Sequence, residues 1–415
     1  MSQRIAVVGA GISGLTAAWY LGPGHQVEVF EAHTQAGGHT YTHPVKREHG
    51  DYAVDMGFIV FNDRTYPNFI KLLGELGIGA QATEMGFAVS DERTGVEYCG
   101  DGLAGFFAQK RRLASGRHWR LLADILRFNR EAPALLDTPA GETPLGEYLR
   151  AQGYGEGFRR HYILPMGGAI WSCSLAQMER FPARFFVRFF INHGLLALRD
   201  RPQWYVVPGG SRRYVEALER GLRARLHRGA PVTAIHRDDN GVTVTVNGEA
   251  RRFDQVILAC HSDQARALIK DADTREQDCL RPLDYQSNDV VLHTDTRLLP
   301  RRRRVWSSWN ALLGEDDQAP VQVTYNMNIL QGIDAPETFC VTLNGGDQIR
   351  PETVIHRVRF EHPLFTTDGL AARTRLLAGN GQRRTWFCGA WCGNGFHEDG
   401  VTSALEVARA LGAAQ

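Results

Sequence analysis

Lysine is scarce in this chain. Among 47 basic residues only Lys46, Lys71, Lys110 and Lys270 are lysine, so no ammonium side chain is available after residue 270. A surplus of one charge is lacking too: 47 basic against 46 acidic residues remove the global attraction expected of a nucleic-acid-binding protein. No run of about 18 apolar residues occurs, and so no segment reads as a membrane span. The seven cysteines (99, 173, 260, 279, 340, 388 and 392) lack the paired spacing of a zinc site and read as reduced thiols, with no metal. Repeats and low-complexity tracts are missing. The first strand pattern starts at residue 4, which leaves no space ahead of it for a signal peptide and makes the cytoplasm the expected location. A chain of 415 residues exceeds one ordinary core, so two or three packed units are expected.

What is present begins at Arg4. Ile5–Val8 reads as a buried parallel strand, Gly9, Gly11 and Gly14 follow, and Ile12, Leu15, Ala18, Trp19 and Leu21 recur at helical spacing. Gly9 allows the tight turn, Gly11 lets backbone approach a diphosphate, and Gly14 lets helix and strand pack, with Ile12 and Ser13 opening the helix N-terminus. A second strand, Val27–Phe30, ends at Glu31, where a carboxylate can accept from ribose hydroxyls. Strand, glycines, helix, strand and acid in this order predict a dinucleotide site.

Further segments carry a resemblance. Ala32 leads through a short loop to Gly37-Gly38-His39, then Gly57-Phe58; Val232 opens a strand before a hairpin turning at Asn247-Gly248; Gly389, Gly400 and Val401 lie near the C-terminus. Together they resemble the FAD-binding segments of the flavin amine oxidase and carotenoid desaturase superfamily. The resemblance implies non-covalent FAD, a Gly-Gly loop beside the flavin, a backbone contact from Val232 to adenine, and a last helix aimed at the flavin pyrimidine. Two positions depart from it: His39 replaces the usual arginine after the glycine pair, and Ala390 replaces a frequent acid.

The implied fold is α/β: a Rossmann-like FAD-binding domain with a parallel sheet, formed by 1–85, 205–265 and 375–415, and a mixed antiparallel-sheet and helical substrate or cap domain, formed by 86–204 and 266–374. In the amine oxidases a lysine contacts flavin N5 through water and aromatic rings frame the amine. Here that lysine is lacking, Phe396 stands where tyrosine is common, and Trp391 lies a few residues before it. His397 and Glu398 are the expected proton acceptor or positioning pair. A further likeness, over segments such as Trp306–Asn310 and Asn326–Gln331, is to a bacterial branch of FAD/NAD-binding proteins associated with fatty-acid modification, alongside cyclopropane-synthase-like methyltransferases. It implies oxidation or desaturation of an acyl chain, on phospholipid or free. An amine or carotenoid oxidase, and an FAD-bearing partner of a lipid-modifying methyltransferase, stay open.

Four segments keep several readings. Arg180–Leu196, with five phenylalanines and three arginines, suits core packing, a greasy substrate tunnel, or peripheral contact at the inner face of the membrane. Arg301–Arg304 suits a solvated loop or an anionic head group. The segment Pro165–Ser174, rich in small residues, either approaches the flavin or substrate or simply packs. Cys388 and Cys392 admit a covalent flavin link or redox pair, with nothing nearby to activate them.

Overall fold

The computed structural model describes residues 2–197 and 199–413. Its nucleotide half is a five-stranded parallel sheet in the order Arg225–His227, Gln26–Phe30, Arg4–Val8, Gln255–Leu258, Thr385–Phe387. The period-2 alternation of a strand sends its side chains to two different cores. Ile5 and Val7 face a core built with the helices Ile12–Leu21, Pro67–Glu75, Arg212–Gly221 and His397–Ala410. Ala6 and Val8 face the opposite core, completed by an antiparallel meander, Val232–Asp238, Gly241–Val246 and Glu249–Phe253. Asn247 and Gly248 both have positive φ, as the two-residue turn between its last strands requires.

The other half is a seven-stranded sheet in the order Val354–Pro363, Tyr285–His293, Cys340–Leu343, Gln322–Asn326, Trp309–Leu313, Phe87–Asp91, Val96–Cys99, antiparallel except where Trp309–Leu313 runs alongside Phe87–Asp91. A helical cap that includes Gly116–Glu131, Leu164–Trp171 and Ala183–Asn192 packs on it in one continuous core. The aromatic run packs in that core, with Phe186 and Phe190 fully buried, Phe181 and Phe189 nearly so and Arg188 exposed, and Phe189 also reaches the wall of the cavity. Its rings are turned inward, so this helix does not offer them to a membrane. Among the described residues no helix is long and apolar enough to cross one.

Candidate active site

One cavity of about 1030 Å³ runs between the two halves, at the upper end of the ~300–1,000 Å³ usual for small-molecule sites. Its nucleotide end is built by the ends of the parallel strands. The helix Ile12–Leu21 starts at Gly11 with no side-chain cap, so its first N–H groups stay available to an anion. A Cβ on Gly11 would meet nothing within 4 Å, whereas one on Gly14 would overlap the Gly9 carbonyl oxygen. One glycine therefore leaves room for ligand and the other lets the fold close. The Gly-Gly loop is pinned beside this turn: the Gly37 N–H donates to the Ala10 carbonyl at 2.8 Å, and a Cβ on Gly38 would lie 3.2 Å from Gly11 Cα. Glu31 is buried, and its two carboxylate oxygens accept from the N–H groups of Ala10 (2.8 Å) and His33 (2.9 Å). Each oxygen keeps a second lone pair for a ribose hydroxyl.

Gly9, Gly11, Ile12, Ser13, Glu31, Ala32, Gly37, Gly38, His39, Gly57, Phe58, Val232 and Gly389 all line the cavity. Gly14, Gly400 and Val401 do not. Gly400 brings the last helix against the first, since a Cβ there would lie 2.8 Å from Ser13 Oγ, and Val401 is wholly buried in the nucleotide core. These three shape the cradle without forming its wall.

His39 supplies no cation. Its ring stacks on Phe360 at 4.9 Å, lies within 6 Å of the rings of His261 and His362, and its Nε2 donates to the Glu361 carbonyl at 3.1 Å. Burial, with the neighbouring imidazoles adding to it, drives its pKa well below the usual range. The charged side chains that do line the cavity are Glu31, Arg212, Arg359 and Glu361, and none of the four lysines is among the lining residues.

The other end is aromatic. Met85, Phe87, Phe189, Trp204, Trp309, Tyr325 and Phe396 line it. Phe396 stacks on Phe189 at 4.8 Å. Trp391 is buried and donates its indole N–H to the Cys260 carbonyl at 3.1 Å. From the small-residue segment, Met166, Ile170, Trp171 and Ser172 reach the wall, while Gly167 and Gly168 make room for Met178 and Val321; it both approaches the cavity and packs. Burial raises the thiols of Cys388 and Cys392, leaving neither activated.

The structure does not assemble His397 and Glu398 as a pair. His397 stacks on Phe58 at 3.6 Å and shares its Nε2 with Tyr214 Oη (2.5 Å) and Thr40 Oγ1 (3.3 Å), and burial lowers its pKa to about 3. Glu398 lies outside the cavity wall. Its carboxylate accepts from the backbone N–H groups of Asn68 (3.0 Å) and Phe69 (2.9 Å), acting as an external cap for the helix Pro67–Glu75, whose own N-cap residue, Tyr66, has no side-chain bond to give.

Sequence reasoning passed over two polar features of the cavity. His193 terminates the aromatic helix, stacks on Phe189 at 3.8 Å and lines the cavity; its Nδ1 lies 3.0 Å from the Phe189 carbonyl. Burial lowers its pKa to about 4. His362 holds its Nδ1 3.0 Å from Ser172 Oγ, and burial lowers its pKa to about 4 as well. Ser172 has positive φ at the helix end, a conformation uncommon for serine, and belongs to the small-residue segment Pro165–Ser174 that the sequence marks.

A nucleotide cradle joined to an apolar chamber in one cavity defines a flavin-binding oxidoreductase. The chain belongs to the family of flavin-containing amine oxidoreductases, whose model matches residues 12–317, and its cofactor is FAD. It is 27% identical over 340 residues to "Putative flavin-containing monoamine oxidase AofH" of Mycobacterium tuberculosis, covering 78% of this chain and 70% of that protein. Among solved structures it is similar to a CLA-producing fatty acid isomerase from P. acnes, with TM-score 0.71 and 17% identity over 98% of both chains. It is similar as well to a cyclohexylamine oxidase from Brevibacterium oxydans, with TM-score 0.68 and 15% identity over 99% of this chain and 100% of that one. At those identities the structural likeness establishes the fold.

Proposed function

We propose that this FAD-dependent oxidoreductase takes hydride from an apolar substrate, the acyl chain of a fatty acid or phospholipid, leaving a carbon–carbon double bond. The observation that carries this reading is the aromatic wall of the cavity, built of Phe, Trp, Tyr and Met around a neutral histidine, His193, with no lysine among the lining residues. Such a wall binds methylene groups by removing them from water, at about 0.8 kcal/mol for each one buried.

FAD, when bound, supplies a two-electron acceptor for hydride. The protein must then accept the proton from the neighbouring carbon. His193 suits that task. A carbonyl only accepts, so the bond to Phe189 puts the proton on Nδ1 and leaves Nε2 with a lone pair. Nε2 has no protein partner among the described residues. Phe396 and Phe189 beside it keep water from competing for that lone pair.

A second reading, amine oxidation, is supported by the family itself and by the name of the mycobacterial relative. The two part on the chemistry of the substrate. Acyl chains of cells producing the protein, compared by mass spectrometry with those of cells lacking it, are expected to include species two hydrogens poorer. Identical acyl profiles would count against the acyl reading.

A further inference from the structure

We infer that the face formed by residues 103–126 and the loop Arg301–Arg304 is a docking surface for an anionic lipid membrane. It rests on the surface alone and stands whichever substrate the cavity takes.

Among the described residues, four of the six exposed large apolar side chains fall in this one stretch: Leu103 (65% exposed), Leu113 (53%), Trp119 (48%) and Leu126 (45%). On the helix Gly116–Glu131, Trp119, Ala123 and Leu126 recur at spacings of four and three and form an outward stripe, beside Leu122, which packs partly on the cap core. The opposite stripe, Leu121, Ile125 and Phe128, is buried in the cap core. Trp119 is held in place, its ring 4.7 Å from Phe107 and its indole N–H donated to the Leu113 carbonyl at 2.9 Å. An ordered, exposed tryptophan among leucines is the arrangement of an interfacial anchor.

The charge around it has one sign. From Leu103 to Leu126 the chain carries five basic side chains and one acid, Asp124, in a protein whose formal charge is only +1. Lys110, Arg111, Arg112 and Arg117 make no ion pair among the described residues. The arginine loop joins this face: Val305 packs with Cys99 and Ala108 in a small core of its own, and Arg302 pairs with Glu97 on the adjoining strand. Arg301, Arg303 and Arg304 are exposed, with no ion pair among the described residues. Seven unneutralised cations beside an apolar stripe complement a surface that is both anionic and greasy, and each is worth about fivefold in partition to an anionic membrane. The face also adjoins the cavity, because Phe87 on the cavity wall accepts the Gly100 N–H through its carbonyl at 2.9 Å, three residues before Leu103 opens the patch.

The test is co-sedimentation of the FAD-loaded protein with vesicles of phosphatidylcholine alone and of phosphatidylcholine mixed with phosphatidylglycerol. Binding is expected only to the mixed vesicles, weakening as salt rises. Arg111→Glu with Arg303→Glu should lower it by more than tenfold, and Leu113→Ser with Trp119→Ser should do so without altering flavin absorbance or Tm. Arg188→Glu, on the aromatic helix, should leave it unchanged. The proposal is overturned if no anionic vesicle is bound, if these pairs bind like the parent, or if a duplex DNA of equal charge competes the protein off the vesicles while the apolar pair has no effect.

Discussion

The Nδ1 of His193 faces the carbonyl oxygen of Phe189, four residues earlier, at 3.0 Å. That single bond decides which nitrogen can act as a base. Replacing His193 with Gln is expected to slow anaerobic flavin reduction about 10²- to 10⁴-fold, the usual worth of a positioned base, while FAD absorbance and Tm stay near the parent's. Stopped-flow absorbance checks this, and a rate within twofold of the parent's would reduce His193 to a packing residue. Because burial holds its pKa at about 4, the rate should be flat through neutral pH and fall only as pH approaches 4.

Acid should also loosen the fold. His193 and His362, with pKa lowered to about 4, and His397, lowered to about 3, are neutral when folded but take up protons below about 6.5 when unfolded. Their contribution is complete above pH 6.5 and is lost as pH falls through 4. Asp55 and Asp399, raised by burial to about 6, act in the opposite direction and are outnumbered. Tm measured between pH 7 and pH 4 should fall steadily, with FAD release at its lower end; a Tm that rises over this range contradicts these assignments.

The two glycines of the first turn should separate binding from folding. Gly11→Ala adds a methyl group that meets no protein atom, so Tm of the FAD-free protein should hold while FAD affinity drops at least tenfold. Gly14→Ala collides with the Gly9 carbonyl and should lower Tm even without FAD. Calorimetry and flavin fluorescence distinguish the two, and equal behaviour of both variants would refute the cradle described above.

Glu398→Ala removes the cap of the helix Pro67–Glu75 and is expected to cost about 1 kcal/mol of stability. Flavin reduction by substrate should stay within about twofold of the parent rate. A large kinetic loss at unchanged stability would restore Glu398 to the chemistry.

The nucleotide half was legible in the sequence because its demands are local. A turn that must pass a diphosphate needs glycine at fixed spacing, so Gly9, Gly11 and Glu31 could be read from local demands, while Gly37-Gly38 and Val232 came from the family resemblance; all of them line the one cavity. Alternating segments such as 290–293 and 321–325 read as antiparallel strands and fall within the strands Tyr285–His293 and Gln322–Asn326, apart from Val321 just before the second. The substrate end was harder to read, because its residues come from elements far apart in the chain: His193 ends a cap helix, His362 ends an edge strand, and Ser172 closes another helix. Adjacency misled at His397-Glu398, where consecutive helical residues point about 100° apart and only the first reaches the cavity. At Phe181–Phe190 composition alone left core packing, tunnel and membrane contact open; the rings pack in the cap core, and Phe189 also reaches the cavity.

The measurement that bears most directly on this account is anaerobic mixing of the FAD-loaded protein with fatty acyl lipid and, separately, with primary amines, followed at the visible flavin absorbance. Bleaching by the acyl lipid and none by the amines is the expected result. Bleaching by amines alone would contradict it and assign the aromatic chamber to amine oxidation.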